Sequence, residues 1–458
     1  MRTFPSRRLD MVLSHAVLVF LLFAQLAVTS SHWFPPISTT EEQQPQLFRI
    51  VNFPNFQESF LSQFSGQLYS SPDNVSGLNS SRFQWTSVTM FSESKSQTSW
   101  LIVAGTSPKS KGIGTAFTTD FSAVFACQVV PRPDKPGGFD LSTCEILGLD
   151  IGSPTSNYSD AGILGKGLQS LQLPSGGGVV VFCDPLWHSN QGTQSPGGRC
   201  SVLERTRGAW SSSEPVEFCS SGGRTMPCAG GFSIDLRLTE DGTNAQLLAG
   251  LPFAQPNRRV RTVDNLLRRG QQHLRDIESD EEEFGSSVAW SPHLASRSDA
   301  LAIVGSPSTS VQGFRVSNLI EDIDTVVLRM AGSAFGGIGF AVETSVANNS
   351  MVVLAGAPFE SVERVGANTG RVYVQFWESG GVHNFSLEGT RSGEMFGYAL
   401  SRIGDVDGDG IGEVAISAPA IEAESIPGRV YIYRVLPGYR LDTYPLQVSD
   451  VVYRGFIC

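Results

Sequence analysis

The sequence predicts an all-β fold, on three observations. The 458-residue chain is rich in turn formers, with 48 Gly and 25 Pro, and only 17% of its residues are charged. Such a composition is typical of a turn-rich globular chain rather than a disordered one. Short apolar stretches alternate with polar ones, as in strands, and one strand-turn-strand unit recurs along the chain. Repeats of several short strands predict the blades of a β-propeller.

The recurring unit starts with an aromatic residue and Gly and ends on Pro 23 residues later, as in FGYALSRIGDVDGDGIGEVAISAP (396–419). Two upstream units keep both features, a third lacks the aromatic residue, and two more are looser. In chain order the units span 83–108, 164–185, 229–252, 284–307, 335–358 and 396–419. The sequence therefore predicts about six blades.

A third strand follows each unit, and it is clearest in SAVFACQV (122–129), GRVYVQF (370–376) and GRVYIYR (428–434). Gly and Ala at the strand ends allow neighbouring backbones to approach closely. Most of the aromatic-Gly and Gly-Ala-Pro positions are therefore assigned to packing.

The charge balance argues against a nucleic-acid partner, because the net charge is −11 and phosphate binding depends on clustered Lys and Arg. One basic stretch, NRRVRTVDNLLRR (257–269), is followed by the acidic DIESDEEE (276–283). We interpret both as one solvated connection between strands, since charge runs usually mark exposed segments.

The N-terminus has the order of a secretory signal peptide, with Arg2, Arg7 and Arg8 before an apolar stretch (11–28) and the small polar residues TSS. Cleavage is predicted near Ser30, so that residues 1–30 are removed and 31–458 form one propeller. An uncleaved membrane anchor is the alternative.

The chain has seven cysteines, which in an exported protein indicate disulfides. Six of them fall into three sequential short-range pairs, and Cys458 is left over. The pairs are Cys127 with Cys144, Cys183 with Cys200, and Cys219 with Cys228. None has the CxxC spacing of a zinc site. Five N-x-S/T sequons agree with the secretory route, at Asn74, Asn79, Asn157, Asn348 and Asn384.

The last unit carries an acidic loop that predicts a calcium site. Asp405, Asp407, Asp409 and Glu413 stand at relative positions 1, 3, 5 and 9, and Ile411 can offer its backbone carbonyl at position 7. All are hard oxygen ligands, which suit Ca²⁺, and crowded carboxylates repel one another unless a cation lies among them. An acidic solvated turn is the alternative.

The loop is not an EF-hand, because position 12 is Ile416 rather than Glu and the flanks alternate like strands. The unit from Phe335 has Thr344, Val346, Asn348 and Val352 at the corresponding positions. These residues cannot hold calcium, so the sequence predicts one site of this type.

Together, aromatic-Gly, D-x-D-x-D-G, Gly-Ala-Pro and Gly-Arg-Val-Tyr resemble the FG-GAP repeat, and their arrangement resembles the N-terminal propeller of integrin α subunits. The resemblance covers about residues 46–458, with QLFRI near residue 48 at the family's first strand. The cysteine pairs resemble the family's blade-linked disulfides. The family template has seven blades, completed by the N-terminal strand, whereas this chain stops at VVYRGFIC, where a seventh blade should start. Cys458 would then have lost its partner.

The resemblance implies a non-enzymatic adhesion receptor subunit with structural calcium, located at the cell surface. It implies pairing with a β subunit and binding of extracellular matrix or cell-surface ligands. Candidate partner contacts are Trp85, Phe232, Phe284, Phe335, Phe396 and Tyr398, with core packing as the alternative for each. Loops that include Trp187, His188, Phe359 and Glu360 could reach ligand.

Two other functions were weighed. Secreted phospholipases of the phosphatidylinositol-glycan type also carry such propellers, but they add a zinc domain rich in His and Asp. The six histidines here are scattered without metal-ligand spacing, and no G-x-S-x-G motif occurs. A secreted decoy that binds the β subunit or the ligand is the second alternative.

Overall fold

A computed structural model of the chain describes most residues between 84 and 451. The described ranges are 84–93, 98–108, 120–131, 139–151, 167–185, 187, 197–206, 208–219, 228–254, 257–268, 270–291, 300–307, 309–316, 323–333, 335–347, 350–378, 381–403, 409, 411–420, 427–436, 440–442 and 445–451. Within these ranges the regular structure is all β-strand, with no α-helix.

Six antiparallel sheets follow one another along the chain, and each contains a row of four strands in chain order. Sheet 1 contains β1 (Gln84–Glu93), β2 (Thr98–Pro108), β3 (Asp120–Pro131) and β4 (Phe139–Ile151). Sheet 2 contains β5 (Leu168–Gln172), β6 (Gly178–Asp184), β7 (Arg199–Thr206) and β8 (Ala209–Ser212), and β9 (Val216–Glu217) also pairs with β7. Sheet 3 contains β10 (Ile234–Leu238), β11 (Ala245–Leu251), β12 (Arg258–Asp264) and β13 (His273–Ser279).

The second half of the chain repeats this order. Sheet 4 contains β14 (Ser287–Trp290), β15 (Ala300–Ser306), β16 (Ser310–Val316) and β17 (Ile323–Met330). Sheet 5 contains β18 (Ala341–Ala347), β19 (Ser350–Ala357), β20 (Arg371–Glu378) and β21 (Gly381–Glu388). Sheet 6 contains β22 (Leu400–Arg402), β23 (Val414–Ala418), β24 (Gly428–Tyr433) and β27 (Gln447–Val451), with the small hairpin β25 (Val435–Leu436) and β26 (Arg440–Leu441) before its last strand.

Apolar side chains are shared between neighbouring sheets. The second strands β11, β15, β19 and β23 are buried along their whole length, because each lies in a sheet with neighbours on both faces. Each apolar cluster combines residues of two consecutive sheets. In one of them, Leu248 and Val260 of sheet 3 pack with Val304 of sheet 4 and with Phe284, which precedes that sheet. These features confirm the predicted all-β propeller of six blades.

Glycines mark the places where consecutive blades touch. Gly231, Gly285, Gly339 and Gly397 all have φ between 81° and 89°, the left-handed region that favours glycine. Their N–H groups donate to carbonyls of the following second strands. A Cβ on Gly250, Gly305 or Gly356 of a second strand would collide with the carbonyl of the next blade's left-handed glycine. The Gly-x-Pro ending of these three units therefore has a packing role.

The fifth unit corrects the predicted alignment. Its left-handed glycine is Gly339, preceded by Ile338, which is buried. Phe335, taken from the sequence as the aromatic start of this unit, lies in the preceding connection and is 97% exposed. The 23-residue interval from Phe335 to Pro358 is thus a coincidence, because the first hairpin of sheet 5 is shorter than that of sheet 6.

The interpretation of 257–269 and 276–283 as a solvated connection is wrong, because these segments contain β12 and β13. Arg259 and Arg261 alternate with the buried Val260 and Thr262, and the charges pair across the two strands. Arg261 binds Asp276 at 2.6 Å and Arg275 binds Asp264 at 2.7 Å. A period of two in a charged run was the signal of a strand.

Several sequence predictions lie outside the described residues, among them the signal peptide (1–30), the first strand near residue 48 and Cys458. The predicted start of a seventh blade, VVYRGFIC (451–458), is described only at Val451, which ends β27. Within the described part of the chain, no helix has the length and hydropathy needed to cross a membrane.

Candidate calcium hairpin and aromatic surface

The acidic loop connects β22 and β23, the first two strands of sheet 6. Arg402 pairs with Val414, and the N–H of Ile403 donates to the carbonyl of Glu413 at 2.9 Å. Asp409, Ile411 and Glu413 are described, whereas Asp405 and Asp407 lie outside the described residues. Among the residues that are described, no three His, Cys, Asp or Glu side chains come together as a metal site. The predicted ligand set thus stays a prediction.

The described part of the loop is well anchored. Glu413 is fully buried, at 0% exposure, at the base of the hairpin. Ile411 packs against the apolar cluster of sheets 5 and 6, and its N–H donates to Oδ1 of Asp409 at 2.8 Å. Residues 404–413 contain four carboxylates and no Ser, Thr, Asn, Gln, Lys, Arg or His. The loop has no side chain of its own that could compensate this charge, so its chemistry fits a hard cation.

The corresponding hairpin of sheet 3 (239–244) compensates its acid without an ion. Asp241 accepts hydrogen bonds from the hydroxyls of Thr239 and Thr243, both at 2.6 Å, and from the N–H of Thr243 at 3.0 Å. These bonds, first the one from Thr239, lower the pKa of Asp241 to about 2. The carboxylate of Asp241 is thus held by neighbouring donors, and that of Glu240 beside it is exposed.

The corresponding hairpin of sheet 5 cannot hold calcium. Ala347 pairs with Ser350, so only two residues connect β18 and β19. Glu413 lies four residues before Ser417, whose carbonyl accepts from the N–H of Gly397. The corresponding position in blade 5, four residues before Gly356, is occupied by the buried Val352. Thr344 does not correspond to Asp405, as the sequence alignment assumed, because it lies within β18 and pairs with Val353.

Two predicted partner contacts are wrong. Phe284 and Phe396, which precede the left-handed glycines, are fully buried. Phe284 packs edge-to-face on Phe314 at 5.7 Å, and Phe396 on Tyr431 at 5.2 Å. Both belong to the apolar core, which was the alternative reading for these positions. The side chain of Trp85 lies outside the described part of the chain.

Two aromatic residues that follow left-handed glycines, Phe232 and Phe340, are partly exposed. Phe232 contacts Phe253 at 5.9 Å, and Phe340 contacts Phe359 at 5.5 Å, both edge-to-face. The same pair therefore recurs in blades 3 and 5, from the residue after the glycine and the residue after the unit's Pro. Tyr398 of blade 6 is mostly buried and contacts Phe340 at 4.7 Å. We call Phe232, Phe253, Phe340, Phe359 and Tyr398 the aromatic set.

Sequence reasoning missed three members of this set as partner contacts: Phe253, Phe340 and Phe359. The signal was present, since Phe253 and Phe359 both follow Pro at the end of a unit. Phe253 remains 47% exposed. The prediction favoured the Phe before the glycine because that residue defines the motif.

The predicted ligand loops are only partly accessible. Trp187 packs under the guanidinium of Arg199 at 5.1 Å, and His188 lies outside the described residues. Glu360 is buried, binding Arg371 at 2.8 Å and accepting from the hydroxyl of Tyr373 at 2.9 Å. Ligand contact by Glu360 is therefore corrected to a structural role within blade 5.

Three disulfides are present, and they join the cysteines paired in the sequence. Cys127–Cys144 and Cys183–Cys200 each link directly opposite residues of adjacent strands, and Cys219–Cys228 closes the connection before sheet 3. Of the sequons, Asn384 lies in β21, while Asn74, Asn79, Asn157 and Asn348 lie outside the described residues.

Two acids link the inner strands of neighbouring blades. Asp235 accepts from the N–H of Trp290 in the next blade at 2.7 Å, and Glu343 accepts from the N–H of Arg402 at 3.3 Å. Burial raises the pKa of Asp235 to about 7, with a smaller contribution from the charge of Glu343. Burial also raises the pKa of Glu343. These carboxylates replace the hydrogen bonds that a continuous sheet would supply.

The order of sheets, shared apolar clusters and recurring hairpins define the chain as a β-propeller with six described blades. Integrin alpha-8 from Gallus gallus is 26% identical over 306 residues, 59% of this chain and 28% of that protein. Integrin alpha-8 from Mus musculus is 26% identical over 309 residues, 60% of this chain and 28% of that protein. The protein is an integrin-α-like propeller that spans 28% of the length of these relatives.

Further comparisons add local detail. Integrin alpha-PS2 from Drosophila melanogaster is 39% identical over 75 residues, 15% of this chain and 5% of that protein. No protein-family model matches the chain. Among solved structures, AofleA from Arthrobotrys oligospora aligns with 81% of this chain and 87% of its own at 10% identity and a TM-score of 0.41.

Proposed function

We propose that this chain is the propeller of an adhesion receptor subunit of the integrin α type, with a binding rather than a catalytic role. In this proposal it pairs with a β subunit, the pair binds extracellular matrix or cell-surface ligands, and the complex is located at the cell surface. The similarity to integrin alpha-8 supports the class of receptor. Three disulfides support an oxidising compartment.

The aromatic set is the proposed partner surface, and the recurrence of its edge-to-face pair in blades 3 and 5 is the observation that carries this assignment. Core packing alone does not account for a Phe at position 253, because nearly half of its surface is exposed. Aromatic faces attract cationic side chains, each contact contributing about 0.5 to 2 kcal/mol. A basic side chain of the partner therefore fits this surface.

In the same proposal, Ca²⁺ is bound by the side chains of Asp405, Asp407, Asp409 and Glu413 and the carbonyl of Ile411. The ion supplies the positive charge that residues 404–413 lack. Its role is structural, since the loop belongs to a hairpin whose strands join the core of blade 6.

Co-secretion with integrin β-subunit ectodomains tests the partner assignment. Phe253→Ala combined with Phe340→Ala should weaken capture of a β ectodomain at least about tenfold, roughly 1.4 kcal/mol. Leu274→Ala is the matched control, because Leu274 is as exposed as Phe253 and lies in the outermost strand β13, outside the aromatic set. Capture unchanged by the double substitution, or capture of no β ectodomain by the wild type, would contradict the proposal.

A further inference from the structure

The outermost strand of blade 5, β21, carries less charge than β13, the outermost strand of blade 3. It is the last strand of sheet 5, so one of its edges has no partner strand in that sheet among the described residues. Such edges invite pairing with a second chain unless charge, Pro or a covering group prevents it. The only charged residue of β21 is its last, Glu388, which binds Arg371 at 2.7 Å.

The outermost strand of blade 3, β13, shows the usual protection. It carries Arg275, Asp276 and Glu278 along its length. β21 has instead an apolar residue, Val382, that is 45% exposed, and no Lys or Pro. Its edge therefore needs another protecting group.

The sequence of β21 supplies an attachment point for such a group. Asn384, Phe385 and Ser386 form an N-x-S sequon in the middle of the strand. Asn384 and Ser386 are both exposed, because residues two apart in a strand share a face, whereas Phe385 stacks on Phe376 at 5.8 Å. The attachment point thus faces solvent while its neighbour anchors the strand.

The hydrogen bonding of Asn384 is compatible with modification. Its Oδ1 accepts from Nε2 of Gln375 at 2.8 Å, and Oε1 of Gln375 accepts from Nε1 of Trp377 at 2.7 Å. This chain of bonds uses the amide oxygen and not Nδ2, the atom to which a glycan is joined. It would also fix the direction in which the glycan leaves the strand.

We propose that Asn384 carries an N-linked glycan that covers the edge of β21 and prevents association of this chain with itself. Nδ2 forms a bond to the reducing-end sugar carbon of a lipid-linked oligosaccharide, the bond from that carbon to the lipid diphosphate breaks, and the amide loses one proton. The proposal rests on export of the chain, which is part of the proposed function.

Mass spectrometry of the secreted protein before and after enzymatic removal of N-glycans tests the attachment. Asn384→Gln and Ser386→Ala should each lose one glycan, whereas Ser386→Thr, the matched control, should keep it. One arm uses the chain's own N-terminus and a second arm a foreign secretion signal. Failure of export with the chain's own N-terminus alone counts against the proposed export. An unmodified Asn384 in protein exported with the foreign signal overturns the proposal that Asn384 carries a glycan.

Light scattering tests the role of the glycan in the same samples. The wild type should keep a constant apparent mass as concentration rises, and both the enzymatically deglycosylated protein and Ser386→Ala should shift to larger species. A constant apparent mass of the Ser386→Thr variant would support the role of the glycan at the edge of β21. Equal apparent masses with and without the glycan would overturn it.

Discussion

The first hairpins of blades 3 and 6 solve the same problem in different ways. Both connect the two inner strands of a blade and carry acid at the turn. In blade 3, Asp241 accepts three hydrogen bonds from Thr239 and Thr243, and the neighbouring Glu240 is exposed. In blade 6, four acids share ten residues, 404–413, that offer no side-chain donor. The comparison teaches that hydroxyl groups and, in our proposal, a metal ion are alternative ways to stabilise one turn.

Removal of calcium should give the largest difference between the two hairpins. At a calcium concentration of 100 times the Kd, binding would contribute about 2.7 kcal/mol to the free energy of unfolding. Chelation or Asp407→Ala should remove this contribution, as measured by calorimetry with and without calcium. Asp241→Ala is the matched control, and its effect on the melting temperature should be the same in calcium and in chelator. An unchanged calcium titration in Asp407→Ala would reject the site.

Replacement of Glu413 should sharpen the comparison by removing the need for an ion. Val352 is the corresponding residue in blade 5 and is buried like Glu413. Glu413→Val should abolish the calcium dependence of the melting temperature. In chelator the variant should be at least as stable as the wild type, because a buried carboxylate without a cation costs free energy. Lower stability of the variant in chelator would mean that hydrogen bonds alone hold this carboxylate.

An acid outside both hairpins should give a smaller, pH-dependent effect. The pKa of Asp235 is raised from 3.8 to about 7 by burial, so the folded state binds its proton more tightly than the unfolded chain. Its contribution to stability is therefore complete below about pH 4 and is lost as pH rises to about 7. Asp235→Asn should flatten the fall of the melting temperature between pH 5 and pH 8. An identical pH profile in the variant would contradict the raised pKa.

Sequence reasoning located the blades well because each unit is a local strand-turn-strand pattern. All six predicted units overlap the first two strands of a sheet. Sequence reasoning failed where the alignment of a unit depended on contacts with a neighbouring blade. Phe335 and Gly336 match the start of the unit as well as Ile338 and Gly339 do. Only the contact of Gly339 with the preceding blade decides between the two alignments.

The charged segments show a second kind of limit. Arg259 and Arg261 look solvated in a linear sequence, because their partners Asp276 and Glu278 lie beyond a connection. Strand pairing brings these charges together and compensates them. The alternation of Arg259 and Arg261 with Val260 and Thr262 was the part of this result that could be predicted.

The sequence by itself determined the number of described blades, the pairs of cysteines and the acidic turn, because spacing along the chain and local chemistry specify each of them. Only the tertiary structure decided which aromatic residues are buried and which reach the surface. Phe284, Ile338 and Phe396 each precede a left-handed glycine and pack into the core between two blades. Phe232 and Phe340 follow such a glycine and are partly exposed. That choice depends on the position of the next blade, which no single unit encodes.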